Sequence, residues 1–288
     1  MRLYSFAWRG AARLGVALQG GKRLLDLTEA APELPKNAVQ FISQFSKSAA
    51  VVTELLQSKH NLHWFHDLEA VRLLAPVPRP GKILCSGINY RSHLQENPEA
   101  ILPEEPFFFA KMPSTVIGPN QAIIVPRHSK QVDYEIELAV VIGRTMQRTP
   151  ESDVLEHVFG YTILHDVSAR DVQFRDNQIT LGKNFDTFCP IGPCVVTRDE
   201  VPRPDQVGLR TFLNGQKMQE GSTADWLFSL THLLSFLSER ITLEPGDVVS
   251  TGTPAGVGVF RKPPIFLRSG DIVRLEADHL GILQNEVT

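Results

Sequence analysis

The sequence predicts a β-rich α+β fold, on three observations. Short runs rich in Val, Ile and Tyr recur from residue 82 to residue 287; apolar residues at helical spacing fill only two segments of helix length; and no strand–helix–strand alternation links them. With 288 residues, 42% apolar and 21% charged, the chain can bury a sizeable core and is neither disordered nor collagen-like. Lys and Arg total 29 against 32 Asp and Glu, a formal net charge of −3, which argues against a nucleic-acid binder acting through bulk charge. Cys85, Cys189 and Cys194 are too few, and odd in number, for a disulfide framework, and they lack zinc-site spacing. No apolar stretch approaches the ~18 residues that would span a bilayer. The expected setting is a reducing, cytoplasmic one, with neither nucleic acid nor membrane as partner.

Residues 1–74 read as a small N-terminal domain. Arg2, Arg9 and Arg13 precede the first acid, Asp26, as in a transit peptide, but residues 16–18 and 23–25 around Gly20-Gly21 form the better-supported pattern, a hairpin. Val39, Ile42, Phe45, Val51 and Leu55 predict a helix over 37–58. Pro76, Pro78, Pro80 and Gly81 exclude helix and central strand and mark a linker, so a second domain is placed at 75–288. Within it, 82–87, 123–126, 132–143, 159–164, 195–197 and 209–213 read as strands. Asn214-Gly215 predicts a tight turn with 216–219 as the return strand. A helix over 225–240, N-capped by Asp225, carries Trp226, Leu227, Leu230, Leu233, Leu234 and Leu237 on its apolar face. Segments 247–250, 272–275 and 282–287 close the chain as strands. Phe107, Phe108 and Phe109 are expected in the core, because aromatic runs usually pack.

The chemistry-bearing residues begin in the 132–143 strand. Side chains alternate along a strand, so Asp133, Glu135 and Glu137 share one face, ~7 Å apart. Carboxylates entering so apolar a run need compensation, by a solvated face, by arginine partners, or by a hard divalent cation. Asp166 ends the next apolar strand, where it either caps the following helix or adds a third oxygen ligand. Glu135, Glu137 and Asp166 together suit Mg²⁺, or Mn²⁺, and the scarcity of histidine argues against zinc. His93 and Glu96 stand three residues apart on a predicted helical turn, a spacing shared by structural pairs and by a general base oriented by a carboxylate. The polar segment 89–100 around Pro98 has the character of a lid. Lys183, flanked by aromatic residues, is expected to be partly buried, with an anionic partner or an anionic ligand. The glycine-rich 250–258 loop lacks both nucleotide-loop patterns and reads as an anion cradle or an ordinary turn.

As a set, these segments resemble the fumarylacetoacetate hydrolase superfamily over about residues 75–288. The resemblance rests on Gly-Ile-Asn-Tyr-Arg-Ser-His at 87–93, Asp-Tyr-Glu-Ile-Glu-Leu-Ala at 133–139 and His-Asp-Val-Ser-Ala-Arg-Asp at 165–171. Gly-Lys-Asn-Phe-Asp-Thr-Phe-Cys-Pro at 182–190 and Thr-Gly-Thr-Pro-Ala-Gly-Val-Gly at 251–258 complete it. Residues 182–190 and 256–267 are most like the domain-containing-protein-two subgroup. The resemblance implies a mixed β-roll catalytic domain behind a small N-terminal domain, and a homodimer. It implies Glu135, Glu137 and Asp166 as Mg²⁺ or Mn²⁺ ligands, and His93 and Glu96 as a water-activating dyad. Lys183 matches a substrate-site lysine, and Arg170, Gln173 and Thr253 match positions that contact a small carboxylated substrate or order the site. The activity placed first is carbon–carbon hydrolysis of an acylpyruvate or a fumarylacetoacetate-like acid through a metal-stabilised enolate. The alternatives are an oxaloacetate tautomerase or decarboxylase, a dienoate isomerase or hydratase, and a non-catalytic binder.

Overall fold

The computed structural model describes residues 1–17, 21–57, 62–97, 100–175 and 179–288. The Gly20 half of the predicted hairpin turn, and Pro98 in the 89–100 segment, lie outside them. The α+β, strand-rich class expected from the sequence is what the chain forms. One large sheet runs in the order Phe65–Asp67, Arg23–Asp26, Ala11–Ala17, Arg2–Trp8, Cys189–Thr197, Val158–His165, Ile136–Ile142, Val248–Ser250, Ile83–Ser86, Phe108–Lys111. Val248–Ser250 and Ile83–Ser86 pair in parallel; the neighbours on either side are antiparallel. A second, four-stranded sheet is formed by Gln216–Ser222, Gly208–Leu213, Ile272–Ala277 and Gly281–Glu286. Residues 1–74 join the large sheet through Arg2–Trp8, which pairs with Cys189–Thr197.

The strand Ile136–Ile142 is buried along its whole length because both sheet faces are covered. Ile136, Leu138, Val140 and Ile142 enter one apolar cluster, Ala139 and Val141 the other. That explains a nearly continuous apolar run where a half-exposed strand would alternate. Its neighbour approaches a third strand so closely that a Cβ on Gly160 would lie 2.1 Å from the Val196 carbonyl oxygen, so glycine is required there. Asn214 and Gly215 both take positive φ, the conformation the predicted turn needs.

Four local expectations change. The 37–58 helix is two helices, Ala38–Ser43 and Phe45–Gln57, broken at Gln44. Asn37 caps the first by accepting from Gln40 N–H, and the break sets Phe45 edge-on to Phe159 at 5.1 Å. The strand predicted at 123–126 reduces to a single bridge, Ile123 to Val287. The strand predicted over 132–143 is interrupted after Val132–Asp133 and resumes at Ile136. The helix predicted over 225–240 begins late, as Leu230–Ser238, with Ser229 as its cap. Asp225 cannot cap it because its carboxylate accepts from the Ser92 N–H instead, at 2.8 Å.

The three cysteines are free and buried. Burial pushes Cys189 up to about 12 and Cys194 up to about 11, and holds Cys85 well above the usual thiol range. The thiolate is the nucleophile, so the reactive form is scarce at any pH below those values. The folded protein is therefore expected to leave all three unmodified by iodoacetamide at pH 8, as read by intact mass. Addition of three carbamidomethyl groups without denaturant would contradict that burial. Among the described residues no helix is long and apolar enough to cross a membrane.

Candidate active site

The interruption before Ile136 separates the roles of the three strand carboxylates. Asp133 turns away from the other two. It accepts from Arg170 Nε at 2.9 Å and from the N–H groups of Gly258 and Val259 at 2.7 and 3.0 Å. Glu135 and Glu137 converge with Asp166, so that one oxygen of each lies within 4.8 Å of the others, all buried. Asp166 caps no helix; the cap of Arg170–Gln173 is Ala169. Its carboxylate accepts from Lys183 Nζ and Lys111 Nζ, each at 2.6 Å. Lys183 Nζ also donates to Glu135 at 2.6 Å, and Arg170 Nη2 donates to the other Glu135 oxygen at 2.6 Å. Lysine and arginine therefore compensate two of the carboxylates, and Lys183, expected to be partly buried with an anionic partner, is almost fully buried with two.

Glu137 differs. Its oxygen accepts from the Ser250 hydroxyl and, at 3.3 Å, from Gly252 N–H, and among the described residues no cation hydrogen-bonds to it. Burial, then the charges of Asp166 and Glu135, push Glu137 well above the usual carboxylate range. Glu135 is also buried, but Arg170 and Lys183 hold it well below that range. Burial alone would lower Lys183; Asp166 and Glu135 outweigh it and raise the ammonium. The site thus asks for one more cation beside Glu137, and an all-oxygen donor set is the chemistry of Mg²⁺ or Mn²⁺. The residues present fit such an ion.

The dyad forms as spaced. His93 and Glu96 lie on the helix Arg91–Glu96, with His93 Nδ1 at 2.7 Å from Glu96 Oε2. Gly256 N–H donates to the other Glu96 oxygen at 2.7 Å. The 251–258 loop is thus an anion cradle, but the anions are the protein's own. Its backbone holds Glu137 through Gly252, Glu96 through Gly256 and Asp133 through Gly258. Its threonine hydroxyls are committed to the carbonyls of Leu138 and Ile136.

A cavity of about 180 Å³ joins these groups. Its lining includes His93, Glu135, Glu137, Asp166, Arg170, Gln173, Lys183 and Thr253; Glu96 stands behind His93. Arg170 Nη1 donates to Gln173 Oε1 at 3.0 Å. A larger cavity of about 290 Å³, between Phe45, Phe159 and Arg198, gathers none of the candidate catalytic, metal-ligating or substrate-binding residues. Phe107 and Phe109 also line the smaller cavity; Phe108 and Phe109 pack against the two apolar clusters as expected of a core run, whereas Phe107 is half exposed. Lys183 Nζ lies 5.0 Å from the centre of the Phe109 ring. Lys111 was not anticipated. It is fully buried and bonds Asp166 and the backbone carbonyl of Lys183. A lysine closing an apolar strand, as it does in Phe108–Lys111, was the available signal.

The fumarylacetoacetate hydrolase C-terminal family model matches residues 82–288. The mitochondrial oxaloacetate tautomerase fahd2 of Xenopus laevis is 43% identical over 277 residues, 96% of this chain and 86% of that protein. The fumarylacetoacetate hydrolase of psychrophilic Exiguobacterium antarcticum is 37% identical with a TM-score of 0.84, covering 100% of this chain and 99% of that one. The maleylpyruvate hydrolase of Sphingobium sp. SYK-6, in complex with manganese(II) ion and pyruvate, is 30% identical with a TM-score of 0.81, covering 100% and 99%. The mitochondrial name of the first relative lends the cytoplasmic expectation no support.

Proposed function

This chain belongs to the fumarylacetoacetate hydrolase family, and on that premise we propose that it is a divalent-metal-dependent oxaloacetate tautomerase, interconverting enol and keto forms. The observation that carries the reading is the cavity. At about 180 Å³ it is below the ~300–1,000 Å³ of ordinary ligand pockets, and it gathers carboxylates and cations at one point. That suits a four-carbon diacid better than a longer acylpyruvate. The identity to a protein named as an oxaloacetate tautomerase supports the same choice. Met112, Phe174 and Leu181 are exposed apolar side chains, and a homodimer that would cover such residues belongs to this proposal.

When bound, a Mg²⁺ or Mn²⁺ ion held by Glu135, Glu137 and Asp166 supplies Lewis-acid polarisation of the substrate's 2-oxo group. Lys183 keeps a fixed positive charge beside the point where negative charge grows on that oxygen. Gln173, with its Oε1 taken by Arg170, has its NH₂ as donor for a substrate carboxylate. Glu96 accepts from His93 Nδ1–H, which leaves Nε2 as the proton acceptor. His93 Nε2 takes a proton from C3 of the keto acid, the C–H electrons form the C2–C3 double bond, the C2=O π pair moves onto O2, and O2 takes that proton back from His93 Nε2–H, directly or through water, giving the enol and neutral His93. The reverse sequence returns the keto form.

A second reading, hydrolysis of an acylpyruvate, is favoured by the same dyad, because His93 could equally take a proton from water. It is also favoured by the likeness to the maleylpyruvate hydrolase. The test uses chelator-stripped protein and the ultraviolet absorbance of enol-oxaloacetate and of acetylpyruvate, with pyruvate measured in parallel. Mg²⁺-dependent loss of enol-oxaloacetate without pyruvate is expected. Pyruvate released from oxaloacetate would mean decarboxylation, and from acetylpyruvate, hydrolysis. No metal-dependent change with either acid would sink the proposal.

A further inference from the structure

We propose that Gln219 is a positioning residue for the two glutamates of the candidate metal centre, an inference that rests on the metal reading above. Gln219 is fully buried on the strand Gln216–Ser222 of the second sheet, and does not line the cavity. A carboxamide offers two N–H donors and two acceptor positions, and here all four are used. Oε1 accepts from Ile136 N–H at 3.1 Å and from the Thr211 hydroxyl at 2.9 Å. Nε2 donates to Thr253 Oγ1 and to the Pro254 carbonyl, both at 2.8 Å. Ile136 N–H can only donate and the Pro254 carbonyl can only accept, so the orientation of the amide is determined.

Ile136 stands between Glu135 and Glu137, where the strand is interrupted. Its N–H goes to Gln219, and its C=O accepts from the Thr253 hydroxyl at 2.8 Å, whose oxygen in turn accepts from Gln219. The three groups close a ring: Ile136 N–H to Gln219, Gln219 NH₂ to Thr253, Thr253 O–H back to Ile136 C=O. Rotation of the backbone at Ile136 would swing the two flanking carboxylates relative to each other, and this ring opposes it. The same ring ties that backbone to the loop whose Gly252 N–H bonds Glu137 and whose Gly256 N–H bonds Glu96. One side chain from the second sheet thereby sets the spacing of two ligands and the seating of the loop behind the dyad.

The experiment measures Mn²⁺ binding to purified full-length protein, by the resonance signal of free Mn²⁺ for affinity and that of bound Mn²⁺ for geometry. Gln219→Leu, which breaks the ring, is expected to weaken Mn²⁺ about 10- to 100-fold, the range for residues behind metal ligands, and to alter the bound-ion spectrum. Gln219→Glu keeps the acceptor for Ile136 but sets an oxygen against the Pro254 carbonyl, so a smaller loss with an altered spectrum is expected. Ser238→Ala controls for mere destabilisation. It removes a buried hydroxyl that bonds Thr149 and Ser235, none of which lines the cavity. It is expected to lower the melting temperature yet hold Mn²⁺ affinity within about threefold, as for independent sites. Gln219→Leu binding Mn²⁺ like the parent, with an unchanged spectrum, would overturn the positioning role alone. Should that variant fail to fold, the same result with Gln219→Glu overturns it. A parent protein that binds no Mn²⁺ overturns the metal reading, and this inference with it.

Discussion

A Glu137→Gln protein is expected to stay folded and to lose at least ~10³-fold of its metal-dependent turnover. Metal polarisation of a carbonyl is worth several kcal/mol, and each ~1.4 kcal/mol is tenfold in rate. The choice of glutamate matters. Glu135 and Asp166 each hold two cationic side chains, so truncating either strands buried charge, a change that typically costs ~3–5 kcal/mol and threatens the fold. Among the described residues Glu137 holds Ser250 and Gly252 alone, and both donate to an oxygen that glutamine retains. Glutamine therefore removes a ligand charge with the packing intact. The check pairs the turnover rate at saturating Mg²⁺ with the melting temperature. Turnover within tenfold of the parent in a normally folded variant would remove Glu137 from the metal centre.

His93→Ala is expected to lower turnover about 10²- to 10⁴-fold, the usual share of a positioned acid–base group, while leaving Mn²⁺ affinity close to that of the parent. The ring bonds Glu96 and lies 6.0 Å from Phe260, with no hydrogen bond to Glu135, Glu137 or Asp166. Its loss should therefore spare metal binding. Measured together, turnover and Mn²⁺ affinity separate this role from the Glu137 effect, where both fall. A His93→Ala protein with full activity on enol-oxaloacetate and on acylpyruvates alike would dismiss the dyad.

What could be read from the sequence was governed by how local its cause was. The strand leading to Asp166 and the Asn214-Gly215 turn depend on neighbours in the chain, and they form where their patterns place them. The errors had distant causes. Asp225 is a plausible helix cap until Ser92, 133 residues away, claims its carboxylate. Residues 133–138 alternate as one strand would, yet the pairing breaks before Ile136, whose N–H goes to Gln219, 83 residues on. The 251–258 loop does present backbone N–H groups to anions, as its glycines suggest, but which anions was decided by folding, and they are Glu96, Asp133 and Glu137. Lys111 was overlooked because nothing near it in sequence says which carboxylate it reaches; that carboxylate, Asp166, is 55 residues on. The His93–Glu96 pair was legible because both members lie on one helical turn.

The buried ions form an unbroken series: Lys111 to Asp166, Asp166 to Lys183, Lys183 to Glu135, Glu135 to Arg170, Arg170 to Asp133. Neutralising any one of them leaves the series one charge out of balance in a low-dielectric interior, and residues in one such network do not contribute independently. Over evolutionary time this series can change only through compensated, multiple replacements, each passing through an intermediate that folds badly. Ile88, Phe107 and Ile179, which also border the cavity, carry no such obligation. Descendants of this chain that acquire new substrates should therefore differ first in that apolar wall, and its composition, rather than the charged series, would record their divergence.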